Sequence, residues 1–339
     1  MPKESDDLST LGELGESAVL GRIFPRLPAA SAQLLGPGDD AAVVAAADGR
    51  FVVTTDLMVH GPDFRLAWSL PHDLGWKAAA SNLSDVAAMG AVPTALVVAI
   101  AAPADSPISL LEGIADGFRD ACGALAPGCG IVGGDLSVSD TLTIAVTAFG
   151  DLAGRPPVLR SGARPGDVVA VSGALGEAAA GLRVLFAEAL DANGAPDAVL
   201  ASLVRDRTTA QLTPSPPIAD GPLAASAGAT SMVDLSDGLA IDASRVARAS
   251  GVRIDFDRGA LGADPDLALG GGEDHSLLAT FPPGARLPGG FRPIGTVVAP
   301  ADDEGNVSVI LLDGKPYTVS GWDPYTGWKD SGVAGGSAG

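Results

Sequence analysis

The chain has 339 residues, with 41 Asp and Glu against 21 Lys and Arg, a formal charge of −20 at neutral pH. No basic face is expected that could displace counterions from a nucleic acid or settle on an anionic membrane, which excludes both as partners. The length suits two domains of moderate size. Two cysteines, Cys122 and Cys129, are too few for a disulfide framework and indicate structural thiols in a reducing compartment.

The N-terminal "MPKESDDLSTLGELGE" lacks the basic start and apolar run of a secretory signal, and the longest apolar stretch, "ALVVAIAAPA" at 95–104, is too short to span a bilayer. A cytoplasmic protein is expected. After "DLST" a capped helix is predicted. "AAVVAA" and "FVVTTDLMV" follow as two strands joined by "ADGR", whose Asp-Gly is a hairpin signal; Asp39 and Asp40 then stand at the start of the first strand and Asp56 late in its neighbour.

Residues 73–89, "DLGWKAAASNLSDVAAM", predict a helix closed by Gly90, with Ser81, Asn82 and Asp85 on a polar face and Leu83, Val86 and Ala87 packed inward. A second helix over 107–126 carries Ile108, Leu111, Ile114, Phe118, Ala121 and Leu125 at helical spacing. The strands "GIVGGD" and "TLTIAVTAFG" flank another hairpin-like connection. Between 150 and 166 the chain becomes rich in Gly, Pro and Arg, which places a domain junction there: 1–152, 153–326 and a flexible tail over 327–339.

The second half opens with a strand, "DVVAVSG", and a small-residue helix, "LGEAAAGLRVLFAEAL". A proline loop, "LTPSPPIADGP", precedes "MVDLSDGLAIDASRVARASG", which reads as strand, turn and helix, with Leu239, Ala243, Val246 and Ala247 as the buried stripe and Gly251 as the stop. Strands in "GGGEDHSLLATF" and "FRPIGTVV" complete the pattern. Hairpins mixed with helices favour α+β domains over a doubly wound sheet. Neither a GxxxxGK[ST] loop nor a strand-linked GxGxxG is present.

What recurs is an acid beside glycine or a short polar residue: "GDDAAVV" at 38–44, "TTD" at 54–56, "SD" at 84–85, "GGD" at 133–135, "DLSDG" at 234–238 and "GGGED" at 270–274. Taken singly, these are turns, helix caps or solvated faces. Taken together, Asp40, Asp56, Asp85, Asp135, Asp234 and Asp237 form one constellation. Two unit charges about 4 Å apart cost roughly 4 kcal/mol at an effective dielectric near 20, so convergence demands cations. Lys77 and Arg160, the basic residues near these motifs, are too few. Oxygen donors, with His275 the one exception, select a hard cation such as Mg²⁺, which shares its coordination with phosphates. Such a cluster can hold a nucleoside triphosphate without a P-loop, and the glycines let phosphates approach the backbone. "GALGEAAAG" at 173–181 is better explained by close helix packing than as a phosphate loop.

The ordered set "GDDAAVV", "TTDLMV", "KAAASNLSDVAAMGA", "GGDLS", "RSGARPGD", "DLSDGL" and "GGEDHSLL" resembles the thiamine-monophosphate kinase family, from about residue 10 to Trp322. That family lies in the PurM-like ATP-binding superfamily. The resemblance implies two α/β domains and a homodimer whose N-terminal domains form a central β-barrel. Position by position it implies Mg²⁺ ligands at Asp40, Thr55, Asp56, Asp85, Asp135, Asp234 and Asp237 with Thr54 beside them, and ATP contacts at Gly134, Asp135, Arg160 and Ser236. It further implies substrate contacts at Glu273 and Trp322, and at Asp63, which stands where the family commonly has the His of a His-Phe pair.

The implied reaction moves the γ-phosphoryl group of ATP to thiamine phosphate. The acceptor's second pKa is near 6, so its oxygen is ionised at neutral pH and no general base, hence no catalytic side chain, is assigned. The thiazolium cation is complemented by the face of Trp322 and the charge of Glu273. The chain departs from the family on the thiamine side, at Asp63-Phe64, at "GWDPY" where the family commonly ends with His-Phe, and at "GEDHSLL" in place of "GEDYELL". Rival readings are another PurM-like enzyme, resembling aminoimidazole ribonucleotide synthetase, and a non-catalytic module that binds Mg²⁺ and nucleotide.

Overall fold

The computed structural model describes residues 9–36, 42–300 and 308–319. Thr10 caps α1 (Leu11–Leu14) with a capping box, its hydroxyl accepting from the Glu13 N–H. Where one continuous helix was expected, Gly15 at φ 72° interrupts it, and α2 (Glu16–Ile23) starts afresh. β1 (Gln33–Leu35) pairs antiparallel with β2 (Val43–Val44) in a small separate sheet.

The first half continues through β3 (Val52–Val59), α3 (Pro71–Ala88), β4 (Val92–Ala102), α4 (Ile108–Leu125), β5 (Gly130–Val138) and β6 (Thr143–Asp151). These strands make a four-stranded sheet in the order β3-β6-β4-β5. Neither hairpin expected from the sequence forms. β3 is paired along its length with β6, from Val52 opposite Gly150 to Val59 opposite Thr143, and not with β2. β5 lies parallel to β4, while β6 runs antiparallel along the other side of β4. An Asp-Gly turn reports that the chain reverses; which strand it then joins is decided by the longer ladder and the buried face.

Helices α3 and α4 cross at backbone contact. A Cβ on Gly75 would collide with the Ile114 carbonyl, and one on Gly117 with that of His72, so the two glycines set the spacing. Gly90, at φ 75°, follows α3 as predicted. The face carrying Ser81 and Asn82, however, is not solvated: both are buried, because α3 packs on the four-stranded sheet and also against a strand and two helices of the second half.

The second half runs β7 (Val168–Ser172), α5 (Glu177–Glu188), α6 (Ala198–Leu203), α7 (Arg205–Leu212), α8 (Asp220–Ser226), β8 (Ser231–Asp234), α9 (Leu239–Ser250) and β9 (Arg253–Phe256). It ends with α10 (Pro265–Gly270), β10 (Leu277–Phe281), β11 (Arg292–Val298), β12 (Ile310–Leu312) and β13 (Lys315–Pro316). The strands form a seven-stranded sheet in the order β13-β12-β9-β11-β7-β10-β8, antiparallel except for β12 beside β9. α9 buries Leu239, Ala243, Val246 and Ala247 and stops at Gly251 in the left-handed conformation, as its sequence predicts.

One core cluster joins α3, α4 and the first sheet to Met232, Leu277, Ala279 and Phe281 of the second. Another lies between the second sheet and α9. Cys122 and Cys129 are buried free thiols. Among the described residues no helix is long and apolar enough to cross a membrane.

Candidate active site

Three segments bring acids together: β3, the last turn of α3, and the turn between β8 and α9. Side chains alternate along a strand, so Thr54 and Asp56 share one face of β3 and Thr55 takes the other. The Thr54 hydroxyl donates a 2.8 Å hydrogen bond to Asp85 Oδ2, whereas Thr55 donates to the Val146 carbonyl at 2.9 Å. Asp234 ends β8 and is buried; the Ser84 hydroxyl reaches it at 3.3 Å and His275 Nδ1 at 3.4 Å. Asp237, in the following turn, is ion-paired with Arg245, which also holds the buried Asp242. The Asp242 carboxylate in turn accepts the Asp237 N–H at 3.1 Å.

The "GGGED" loop is laid directly on that turn. The Glu273 N–H donates to the Ser236 carbonyl at 2.9 Å and the His275 N–H to the Leu235 carbonyl at 3.0 Å. A Cβ on Gly272 would strike the Ser236 carbonyl, so glycine is required for this approach. Glu273 and His275 adopt φ of 71° and 51°, left-handed values that are costly for such residues and are held here by their backbone bonds. Glu273 Oε2 sits 2.6 Å from Lys77 Nζ. Asp63 follows β3 and accepts the Val59 N–H at 2.7 Å. Asp274 points away and accepts the Gly176 and Ala178 N–H groups at the start of α5, so that helix end already carries an anion of its own.

The electrostatics show how closely these groups approach. Loss of hydration raises the Asp56 pKa; His275 opposes it, and Asp234, Glu273 and Asp237 add repulsion. Burial, then Asp234 and Asp56, push Asp85 up to about 7 against the Thr54 hydrogen bond. Asp242 is likewise raised to about 7, by burial and then by Asp234, with Arg245 opposing. Burial raises Asp63, the Val59 bond opposes, and Glu273 adds to the rise. Burial would raise Glu273 too, but Lys77 and His275 outweigh it and hold its carboxyl below the ordinary value. For His275, burial is outweighed by its hydrogen bond to Asp234 and by Glu273, and its pKa rises.

Asp56, Asp63, Asp85, Asp234, Asp237 and Glu273 are thus one interacting group, with Thr54 and Ser236 at its edge. Other residues singled out from the sequence lie elsewhere. Asp56 shares a cross-strand row with Val146, Val98 and Gly134, two strands intervening, about 14 Å at roughly 4.8 Å per strand. Asp135 falls in the next row, with Ala99, Ala145 and the exposed Leu57, and so faces away from the helices. Its carboxylate accepts from the Ser137 hydroxyl at 3.0 Å. Gly134 and Asp135 line a mainly apolar cavity of about 660 Å³ with Arg50, Phe149 and Phe118. The Arg160 carbonyl accepts from Ser250 at the end of α9. Ser236 and Asp237 precede the start of that helix, about 18 Å away at 1.5 Å per residue. Asp40 and Trp322 lie outside the described residues.

Sequence reasoning passed over Asp242 and Arg245 as members of the site and counted too few cations. Their i,i+3 spacing on the helix that opens after "SDG" was the available signal. Among the described residues no three His, Cys, Asp or Glu side chains are already drawn to metal-ligand spacing. The donor set nevertheless fits a hard divalent cation: carboxylates crowded until their pKa values rise, a threonine hydroxyl, and no sulfur.

Two mixed sheets with this acid cluster where their strands meet α3 define a PurM-like protein. The family model for AIR synthase related protein, N-terminal domain, matches residues 38–152. The thiamine-monophosphate kinase of Mycobacterium tuberculosis (strain H37Rv) is 44% identical over 338 residues, covering 95% of this chain and 93% of the relative. The crystal structure of thiamine-monophosphate kinase from Stenotrophomonas maltophilia K279a superposes with a TM-score of 0.70 at 31% identity, covering 89% of this chain and 96% of that one. AaThiL complexed with AMPPCP and TMP superposes at 0.67, also 31% identical, covering 93% and 98%. The chain belongs to the thiamine-monophosphate kinase family.

Proposed function

We propose that the chain transfers the γ-phosphoryl group of ATP to thiamine monophosphate, giving thiamine diphosphate and ADP. The observation that carries the chemistry is the mutual crowding of Asp56, Asp85, Asp234 and Asp237, which hold more negative charge than Lys77, Arg245 and His275 offset. Mg²⁺ bound there would neutralise phosphate charge and favour an in-line geometry. Asp56, Asp85, Asp234 and Asp237 are the ligands this reading favours, with Thr54 and Asp40 as further donors; Thr55 and Asp135, on the other face of the sheet, would serve a separate ion. The acceptor phosphate is already ionised, so no side chain need remove a proton; His275 is engaged by Asp234 and Ser84 and is not needed as a base.

In the same reading, Gly134 and Asp135 take part in ATP binding beside the cavity they line, with Arg160 and Ser236 as further contacts. Asp63, Glu273 and Trp322 are the thiamine contacts in this reading, and the two carboxylates suit a cationic ring. The domains are 1–152 and 153–326, followed by the tail over 327–339, and the enzyme works in the cytoplasm. A homodimer closed through the N-terminal sheets is supported by the face opposite α3 and α4, where Phe51, Val53 and Leu57 are exposed.

The test is an assay of the purified chain with ATP, Mg²⁺ and, separately, thiamine monophosphate, thiamine and an aminoimidazole ribonucleotide precursor. Thiamine diphosphate formed from the first alone, and abolished by chelation, is the expected outcome. Nucleotide binding without turnover of any acceptor would overturn it.

A further inference from the structure

We propose that Lys77 is a positioning residue for the acceptor substrate and acts through Glu273; the inference rests on the kinase reading above. Lys77 lies in the middle of α3 and is only 6% exposed, a burial that a lysine tolerates when its ammonium is paired. It has two partners, both from the second half of the chain. Glu273 Oε2 is at 2.6 Å. The side-chain oxygen of Gln211, on α7, is at 3.0 Å when the amide is oriented so that its nitrogen donates to the Ala178 carbonyl at 3.1 Å. One ammonium therefore ties α3 to α7 and to the "GGGED" loop.

What is fixed by this tie is the direction of Glu273. Its backbone is set by the bond to Ser236 in a left-handed conformation, which leaves the side chain as the remaining freedom. Lys77 holds the carboxylate through Oε2, while the Glu273 side chain stays 41% exposed. Asp63 lies close enough for its charge to be felt by Glu273 and moderated by Lys77, and Asp56 is next in line. Glu273, Asp63 and Asp56 outnumber the two cations beside them, Lys77 and His275, and the excess of carboxylate suits a cationic ring. Without Lys77, Glu273 would be repelled by Asp63 and Asp56 and turn outward. A lysine here thus keeps two like charges near each other on the acceptor side, while the metal-side acids are held by other contacts.

The test is a kinetic cycle on the full chain with Lys77→Met, Lys77→Arg, Glu273→Gln and the double variant Lys77→Met/Glu273→Gln. Lys77→Met is expected to raise KM for thiamine monophosphate about tenfold while KM for ATP stays within about twofold, and Lys77→Arg to recover most of the loss. In the Glu273→Gln background, Lys77→Met should add nothing further, because the two act as one unit. Gln211→Met, which releases one partner and keeps the lysine, should shift the same KM about threefold and serves if Lys77→Met does not fold. Equal rises in both KM values, an unchanged thiamine monophosphate KM, or effects that multiply across the cycle would overturn the inference alone. Absence of thiamine monophosphate turnover in the unsubstituted chain would overturn the kinase reading and the inference with it.

Discussion

Thr54 and Asp85 meet between the first sheet and its helix layer, the threonine hydroxyl donating at 2.8 Å to Asp85 Oδ2. Among the influences on Asp85, burial and its two aspartate neighbours favour the neutral acid, while this bond and His275 favour the anion. Thr54→Val should therefore push the Asp85 pKa higher still and cost about 1 kcal/mol of stability at pH 8, where the carboxylate is charged. Urea denaturation at pH 8 and pH 5.5 checks it; the loss should be smaller at the lower pH.

The raised Asp85 pKa has a definite sign in stability. Between the unfolded value of 3.8 and the folded value of about 7, the folded chain holds a proton that the unfolded chain has released. Metal-free protein should accordingly lose stability as pH rises through that window, by up to about 1.4 kcal/mol per pH unit for this group. Asp85→Asn should flatten the slope and be the more stable protein at pH 8 in chelator, yet, if the proposed metal assignment holds, lose at least about 100-fold in turnover with one donor gone. Thermal melts in EDTA across pH 5 to 8, paired with the kinase assay, measure both; a variant with full activity would count against the metal assignment.

Arg245 serves two acids, one half-exposed and one buried. Arg245→Gln strands the Asp242 carboxylate, and a loss of about 1–3 kcal/mol is expected, below the 3–5 of a wholly buried pair because the arginine is partly in water. Adding Asp242→Asn should restore most of it. Chemical denaturation of the single and double variants tests this; two additive losses would show that the pair is not coupled.

The open face of the four-stranded sheet gives a test of assembly. Val53→Asp and Leu57→Glu each place a charge among exposed apolar side chains and should convert the proposed dimer to a monomer with the fold retained. Sedimentation equilibrium reads the mass and circular dichroism the fold. A dimer that survives both substitutions would point to a different interface.

Much of the site was legible because it is written in local chemistry. The acids beside glycine, the helix over α3 with Gly90 behind it, and the stripe of α9 ended by Gly251 all follow from spacing and caps within one or two turns. The "GALGEAAAG" stretch was also readable as packing: Gly181 lies against Thr208 and Gln211 of α7, and the start of α5 is filled by Asp274. The two hairpins were misread because turn residues signal a reversal without naming the partner strand. Arg245 was passed over since its pairing with Asp237 depends on how the turn folds back over α9.

By itself, then, the sequence determined the chemical inventory, the helices α3, α4, α5 and α9 and the order of acidic motifs, all of which depend on neighbours a few residues apart, while α6, α7, α8 and α10 carry too little periodicity to be read. Tertiary structure alone decided which acids meet. Strand register put Asp56 on the helix side and Asp135 on the other face, the buried side of α3 carried Lys77 and Asp85 to the second half, and Arg160 was left at the far end of α9. Those outcomes depend on long-range ladders and shared burial, whose energies involve residues distant along the chain and leave no periodic trace within it.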